Sequence, residues 1–247
     1  MAPDMDLKQA IERARGWLGA ASSVAVLTGA GISAESGIPT FRSAGGLWRN
    51  FRAEDLATPQ AFARDPKTVW EWYDWRRGLI AAAKPNPGHL ALAALESRFP
   101  EFTLITQNVD GLHDRAGSRR PLKVHGDIWD LRCTACGRTW RDQRAPLPEL
   151  PPRCECGGMA RPGVVWFGEA LPSEIWTEAE VAAGSADVFL VVGTSALVYP
   201  AAGLVLIAKS GGARVVEVNP ERTQFSDDVD CRLEGAAGEV LPALASL

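Results

Sequence analysis

Residues 22–42 read SSVAVLTGAGISAESGIPTFR, and the fold is decided there. The opening SSVAVL is a short apolar run with the character of a buried strand. Gly29-Ala30-Gly31-Ile32-Ser33-Ala34 follows it directly and fits the pattern G-x-G-x-x-G/A. A helix starting after such a loop offers unpaired N–H groups to a pyrophosphate, and glycines let the backbone come close to it. Taken alone the pattern is weak, since an ordinary turn can carry it. The loop runs on through Glu35 to Arg42 with small residues and hydroxyls, which suggests a lid over a ligand.

Outward from this stretch, strands and helices alternate. Leu7, Ile11, Ala14 and Leu18 give a helix over residues 5–21. Pro66 and Pro85 bracket a helix over 66–83, and a second helix covers 88–99. Strands are expected at 102–106, 164–167, 188–192 and 214–218, with helices near 173–183, 201–209 and 238–245. This alternation implies an α/β fold whose mostly parallel sheet is covered on both faces. A dehydrogenase of that fold would carry an acid about 20 residues past the loop, at the end of a second strand. Glu54 and Asp55 stand at that distance, but FRAEDLATP does not read as a strand end, so that reading is the weaker one.

The chain has 247 residues, 46% hydrophobic and 23% charged, which excludes a disordered or collagen-like chain and predicts one to two domains. A net charge of -4 argues against bulk attraction to nucleic acid or an anionic membrane. The longest apolar run, residues 196–208, has 13 residues and holds Tyr199, Pro200 and Gly203, too short to span a bilayer. The polar, acid-containing N-terminus resembles no secretory or transit peptide, so a cytoplasmic location is expected.

Four of five cysteines fall in one segment. Cys133-x2-Cys136, a gap of 17 residues and Cys154-x-Cys156 approximate a zinc ribbon, the second pair one residue tighter than usual. Four unligated thiols are the alternative. Four thiolates suit tetrahedral zinc and leave no position open for water, so the metal would be structural. Residues 132–161 hold too few large apolar side chains for a core of their own and read as an inserted, metal-stapled module, with Cys231 left over. Of the three histidines, His89 opens a helix as a cap or packing residue. His113 and His125 both lie in polar turns and are candidates for a general base.

Gly29 to Arg42, Thr-Gln-Asn-Val-Asp-Gly-Leu-His (106–113), Val-His-Gly-Asp (124–127), the paired cysteines and Gly-Thr-Ser (193–195) together resemble the sirtuins, NAD-dependent protein lysine deacylases. The agreement runs in order over nearly the whole chain. It implies a Rossmann-like doubly wound parallel sheet with a smaller inserted zinc-binding domain. Residues 1–42, 86–125 and 162–247 would form the NAD-binding part, and 43–85 with 126–161 the small domain. The resemblance makes His125 the general base and Asn108 the ribose-orienting residue. Gly29, Ala30, Gly31, Ser33, Thr40, Phe41 and Arg42 would surround the pyrophosphate and the nicotinamide ribose, bordered by Gln107 and Asp110. Gly193, Thr194 and Ser195 would hold phosphate and adenosine, Asn219 and Glu221 the adenosine ribose, and Ala237 would lie near adenine. Cys133, Cys136, Cys154 and Cys156 would hold one structural zinc. In the family's reaction the acyl oxygen displaces nicotinamide from NAD, and the base then activates the ribose hydroxyls, yielding free lysine and O-acyl-ADP-ribose.

Three tryptophans and a tyrosine stand within residues 70–75. Tyr73 and Arg76 are three apart and share a helix face, where phenol and guanidinium together can bind a carboxylate. This Tyr-x-x-Arg pair resembles the sirtuin branch that removes succinyl and malonyl groups, with Ala57 matching its small pocket residue. A surface arginine beside a core-facing aromatic helix is the plainer alternative. Acetyl removal is expected to persist. The substrate peptide would pair as an added strand between Val165, Phe167 and Gly168 on one side and Val198 on the other. The expected partners are acylated lysines of proteins, with neither membrane nor nucleic acid involved, and the chain is expected to act as a monomer. Weaker alternatives are a protein ADP-ribosyltransferase, a non-catalytic NAD or ADP-ribose binder and, last, a zinc-ribbon DNA-binding protein.

Overall fold

A computed structural model describes residues 6–40 and 51–246. In chain order come α1 (Leu7–Ala20), β1 (Ser23–Thr28), α2 (Gly31–Ala34), α3 (Ala53–Leu56), α4 (Pro59–Arg64), α5 (Pro66–Ala82) and α6 (Pro87–Glu96). Next are β2 (Glu101–Thr106), α7 (Leu112–Ala116), β3 (Leu122–Lys123), β4 (Gly126–Cys133), β5 (Thr139–Arg141) and β6 (Ala160–Val164). The chain continues with α8 (Ser173–Ser185), β7 (Val188–Val192), α9 (Leu204–Ser210), β8 (Arg214–Asn219), β9 (Cys231–Glu234) and α10 (Ala237–Ala245).

Six strands form one sheet in the order β3-β2-β1-β7-β8-β9, and every neighbouring pair is parallel. Val26 stands opposite Leu104 on one side and Leu190 on the other. Alternate residues feed two cores. Val24, Val26, Leu104, Leu190 and Val216 pack with α1, α6 and α10, while Ala25, Leu27, Ile105, Phe189 and Val191 pack with α8 and α9. Burial on both faces is why these strands read as unbroken apolar runs.

The helices start where their caps dictate. Asp65 Oδ1 accepts from Thr68 N at 3.1 Å and Pro66 fills the first turn of α5. Asn86 and His89 close a reciprocal capping box on α6, the cap-and-packing role read for His89.

A third core joins α4 and α5 to the antiparallel sheet β5-β4-β6. Trp70, Trp72 and Tyr73 of α5 pack with Ile128, Leu131, Leu147 and Ala160, so the cysteine segment borrows its apolar core from the aromatic helix. Arg77, wholly buried, donates to the carbonyls of Ile128 (2.7 Å), Asp142 and Arg144 (3.0 Å) and locks α5 onto that sheet.

The strand expected at 164–167 instead ends at Val164. Beyond it, Val165 N donates to His125 O (2.9 Å) and Phe167 N to Ala57 O (3.0 Å), so this segment leaves the ladder to bridge between cores. The helix expected at 201–209 begins with a 3₁₀ turn, Ala201–Gly203. No helix among the described residues is long and apolar enough to cross a membrane.

Candidate active site

Strand order reverses at β1, with β2 on one side and β7 on the other. Open parallel sheets bind ligands beyond the C-terminal strand ends at such a point. The turns after β1, β2, β3 and β7 carry Gly29, Gln107, His125 and Gly193 to that end, and β8 ends there in Asn219.

The glycine turn and the turn after β7 interlock. Gly31 N donates to Gly193 O at 2.7 Å, and Gly29 N to Val192 O at 3.0 Å. A Cβ on Gly29 would lie 2.7 Å from Thr194 Cβ, and one on Gly31 2.6 Å from Gly193 O. Gly193 has φ +56° and faces the Ile32 nitrogen. The sequence reading gave these glycines to a ligand's approach; in the structure their bareness is already demanded by the fit of one turn against the other. Ala30 is half-buried between them, and Thr40 is half-buried where the described N-terminal segment ends. Phe41 and Arg42 lie outside the described residues.

Thr194 gathers three turns. Gln107 Nε2 donates to its hydroxyl (3.0 Å) and Asn219 Nδ2 to its carbonyl (2.8 Å). Ser195 beside it is half-buried. Glu221 is exposed, its N–H 3.4 Å from Asn219 Oδ1. Ala237 is buried at the start of α10, where the next residue, Gly238, donates its N–H to Glu35 Oε2 at 2.7 Å.

Asn108 is held from three directions. Its N–H meets Thr106 Oγ1 (3.0 Å), and its Nδ2 donates to Gly29 O (3.0 Å) and Ser33 Oγ (3.2 Å). Its Oδ1 has no donor among the described residues. Ser33 donates in turn to Asp110 Oδ2 at 2.8 Å. Asp110 is buried, which raises its pKa, while Leu112 N and Ser33 offset part of that cost. His125 is half-buried; burial lowers its pKa, against the Gln107 carbonyl, 3.1 Å from its Nδ1, which raises it. His113 does not join this group. It is buried against Thr28 Oγ1 (3.0 Å), and burial lowers its pKa to about 3.

On the α5 side, Tyr73 is buried with its oxygen accepting from Trp166 Nε1 at 2.9 Å. Burial raises its pKa, so the phenol keeps its proton. The half-buried Arg76 guanidinium lies 5.4 Å from the Trp72 ring centre and interacts with both Tyr73 and Asp110. Ala57 is buried in the same core, with its carbonyl committed to Phe167 N. Phe167, Gly168 (φ +85°) and Val198 are exposed, and Val165 is half-buried. The N–H groups of Val165 and Phe167 are spent within the chain, so an added strand there would have to use the Gly168 N–H and the carbonyls.

The thiols of Cys133, Cys136, Cys154 and Cys156 all lie within 4.8 Å of one another, with Cys133 to Cys156 at 3.5 Å and Cys136 to Cys154 at 3.8 Å. Tetrahedral zinc with 2.3 Å bonds to sulfur sets its ligands about 3.8 Å apart, so the group fits the metal despite the short second pair. The N–H groups of Cys136 and then Ala135 pull the Cys133 thiol down to about 6, while, against the Gly158 N–H, the neighbouring thiols push that of Cys156 up to about 12.

The Sir2 family pattern matches residues 29–200, which span the turns after β1, β2, β3 and β7 and the cysteine cluster. The chain belongs to the Sir2 family. It is 57% identical over 216 residues to an NAD-dependent protein deacylase of Aquifex aeolicus, covering 87% of this chain and 90% of that one. A crystal structure of a Sir2 homolog–NAD complex superposes with a TM-score of 0.91 at 47% identity, covering 95% of this chain and 92% of its counterpart. Sir2Af2 bound to a myristoylated histone peptide superposes at 0.79 with 37% identity, covering 96% and 95%.

Three contacts at this site escaped the sequence reading. Trp166 was read only as part of a strand and of the peptide-flanking segment, and Glu35 only as part of a lid. Thr194 was placed at the phosphates, with nothing to show that it joins three turns. Their partners stand 93, 203 and 87 residues away in the chain, beyond the reach of any local pattern.

Proposed function

We propose that this Sir2 protein is an NAD-dependent protein lysine deacylase that favours acyl chains ending in a carboxylate, succinyl and malonyl, and also accepts acetyl. The observation that carries the acyl preference is the Tyr73–Arg76 pair, a protonated phenol and a guanidinium three residues apart on α5. A carboxylate is acceptor-only, and these two groups supply donors to it.

Bound NAD would supply a glycosidic carbon whose bond to nicotinamide is exchanged for one to the acyl oxygen, nicotinamide leaving free. The chain's own groups do the rest. Asn108, fixed through Gly29 and Ser33, presents its Oδ1 to a ribose hydroxyl. His125 takes a ribose proton at Nε2, since its Nδ1 is engaged at Gln107. The interlocked turns at Gly31 and Gly193, with Thr194, Ser195 and Asn219, border the dinucleotide, and Ala57 leaves room for the longer acyl tail. Cys133, Cys136, Cys154 and Cys156 hold zinc away from the chemistry. Four cysteines gathered as a metal-ligand set, and not as a disulfide framework, support a reducing, cytoplasmic setting.

The test compares acetyl-, malonyl- and succinyl-lysine forms of one peptide, reading nicotinamide release by wild type and by Arg76→Met. A charge-assisted hydrogen bond is worth about 1.5–3 kcal/mol, so succinyl kcat/KM should fall about 10- to 100-fold while acetyl turnover stays within about threefold. Equal losses on both would remove Arg76 from acyl recognition.

A further inference from the structure

We propose that Trp166 is a specificity-positioning residue: its indole N–H orients the Tyr73 hydroxyl toward the acyl carboxylate. The inference rests on the acyl preference proposed above and names a residue that preference did not include.

Trp166 Nε1 stands 2.9 Å from Tyr73 Oη, and both side chains are buried, at 3% exposure each. An indole N–H can only donate, so the phenol oxygen is the acceptor in this bond and its own proton is left to give. Among the described residues no acceptor takes that proton. With Trp166 donating to the phenol oxygen, the Tyr73 hydroxyl turns its own proton outward, a donor for an acceptor-only group and of no use to a methyl.

Trp166 is itself held on every side. Its backbone N–H donates to Glu169 Oε2 at 2.8 Å. The Arg161 guanidinium covers the indole face at 3.5 Å from its centre, and Arg161 is tied to Glu169 by contacts of 2.6 and 2.8 Å. Phe62 packs on the ring at 5.2 Å between centres. An indole clamped by a charge above and an aromatic beside it cannot swing its N–H away from Tyr73.

The experiment measures kcat and KM for succinyl- and acetyl-lysine forms of one peptide, on wild type, Arg76→Met and Trp166→Phe. Trp166→Phe should raise the succinyl KM about tenfold and leave acetyl kinetics within about twofold. Site-specific replacement of Trp166 by 3-benzothienylalanine, which keeps the shape and lacks only the N–H, should reproduce that split. 5-Fluorotryptophan at the same position, which retains the N–H, should not. A wild-type enzyme with normal succinyl preference and an Arg76→Met loss, combined with an unchanged succinyl-to-acetyl ratio in the benzothienyl variant, overturns the role of Trp166 alone. A wild type with no succinyl turnover, or an Arg76→Met variant with no selective loss, overturns the acyl reading and this inference with it.

Discussion

The Nδ1 nitrogen of His125 lies 3.1 Å from the carbonyl oxygen of Gln107. A carbonyl only accepts, so Nδ1 carries the proton of the neutral ring and Nε2 is left as a bare lone pair. Burial favours that neutral form and lowers the pKa from its ordinary 6.5. The base is active when unprotonated, so the acid limb of kcat/KM should fall below pH 6.5, measured as nicotinamide release against pH with an acylated peptide. A limb centred above neutrality would contradict the assignment. His125→Tyr should abolish turnover and leave fold and zinc content unchanged.

Behind the site, the His89 and His113 rings lie 4.9 Å apart, and burial holds them neutral with pKa values of about 4 and about 3. Both lie below the unfolded value of 6.5, so the unfolded chain binds more protons in between and stability is lost as pH falls through that window. At about 1.4 kcal/mol per pKa unit, His89 alone accounts for a loss on the order of 3 kcal/mol between pH 6.5 and 4. The melting temperature should drop by roughly 6–12 °C over that range, and His113→Leu should flatten the slope. A melting temperature indifferent to pH in this window would show that the two rings titrate in the folded state as they do in the unfolded chain.

Metal analysis of the purified chain should find one zinc per molecule. Cys136→Ala, or a strong chelator, should release it and expose residues 132–160 to protease while the parallel sheet keeps its circular dichroism. Retention of the metal by Cys136→Ala would mean that this thiol is not a ligand.

Glu35 Oε2 accepts from Gly238 N at 2.7 Å, tying the glycine turn to the first turn of α10. Its carboxylate also favours that helix end electrostatically. Glu35→Ala should cost about 1 kcal/mol of stability and raise the KM for NAD a few-fold, with the peptide KM unmoved. Steady-state kinetics with each substrate varied in turn separates the two.

The parallel core was legible because strands buried on both faces are continuous apolar runs, and the glycine turn was legible because its residues are adjacent in the chain. β9 was not: Cys231–Glu234 is four residues long at the sheet edge, and its buried Cys231 and Leu233 alternate with half-buried Arg232 and exposed Glu234. The two residues of β3 give no pattern at all. In the site, the polar motifs around Asn108 and His125 stood out as short clusters. The pairing of Trp166 with Tyr73 did not, because it is made by tertiary packing between α5 and the segment after β6. The glycines illustrate a different limit. Their small size was read as a need for close approach by a ligand, and sequence could not say that Gly193 and Thr194 also stand against them.

The pairing of Val26 with Leu190 at the middle of the sheet has a consequence for biosynthesis. On the ribosome, β1 emerges early and gains β2 soon after, yet its other edge has no partner until the whole cysteine-bearing insertion and α8 have been translated. A nascent chain halted anywhere between residues 107 and 187 therefore displays an open, apolar strand edge, the state most prone to clumping or to capture by a chaperone.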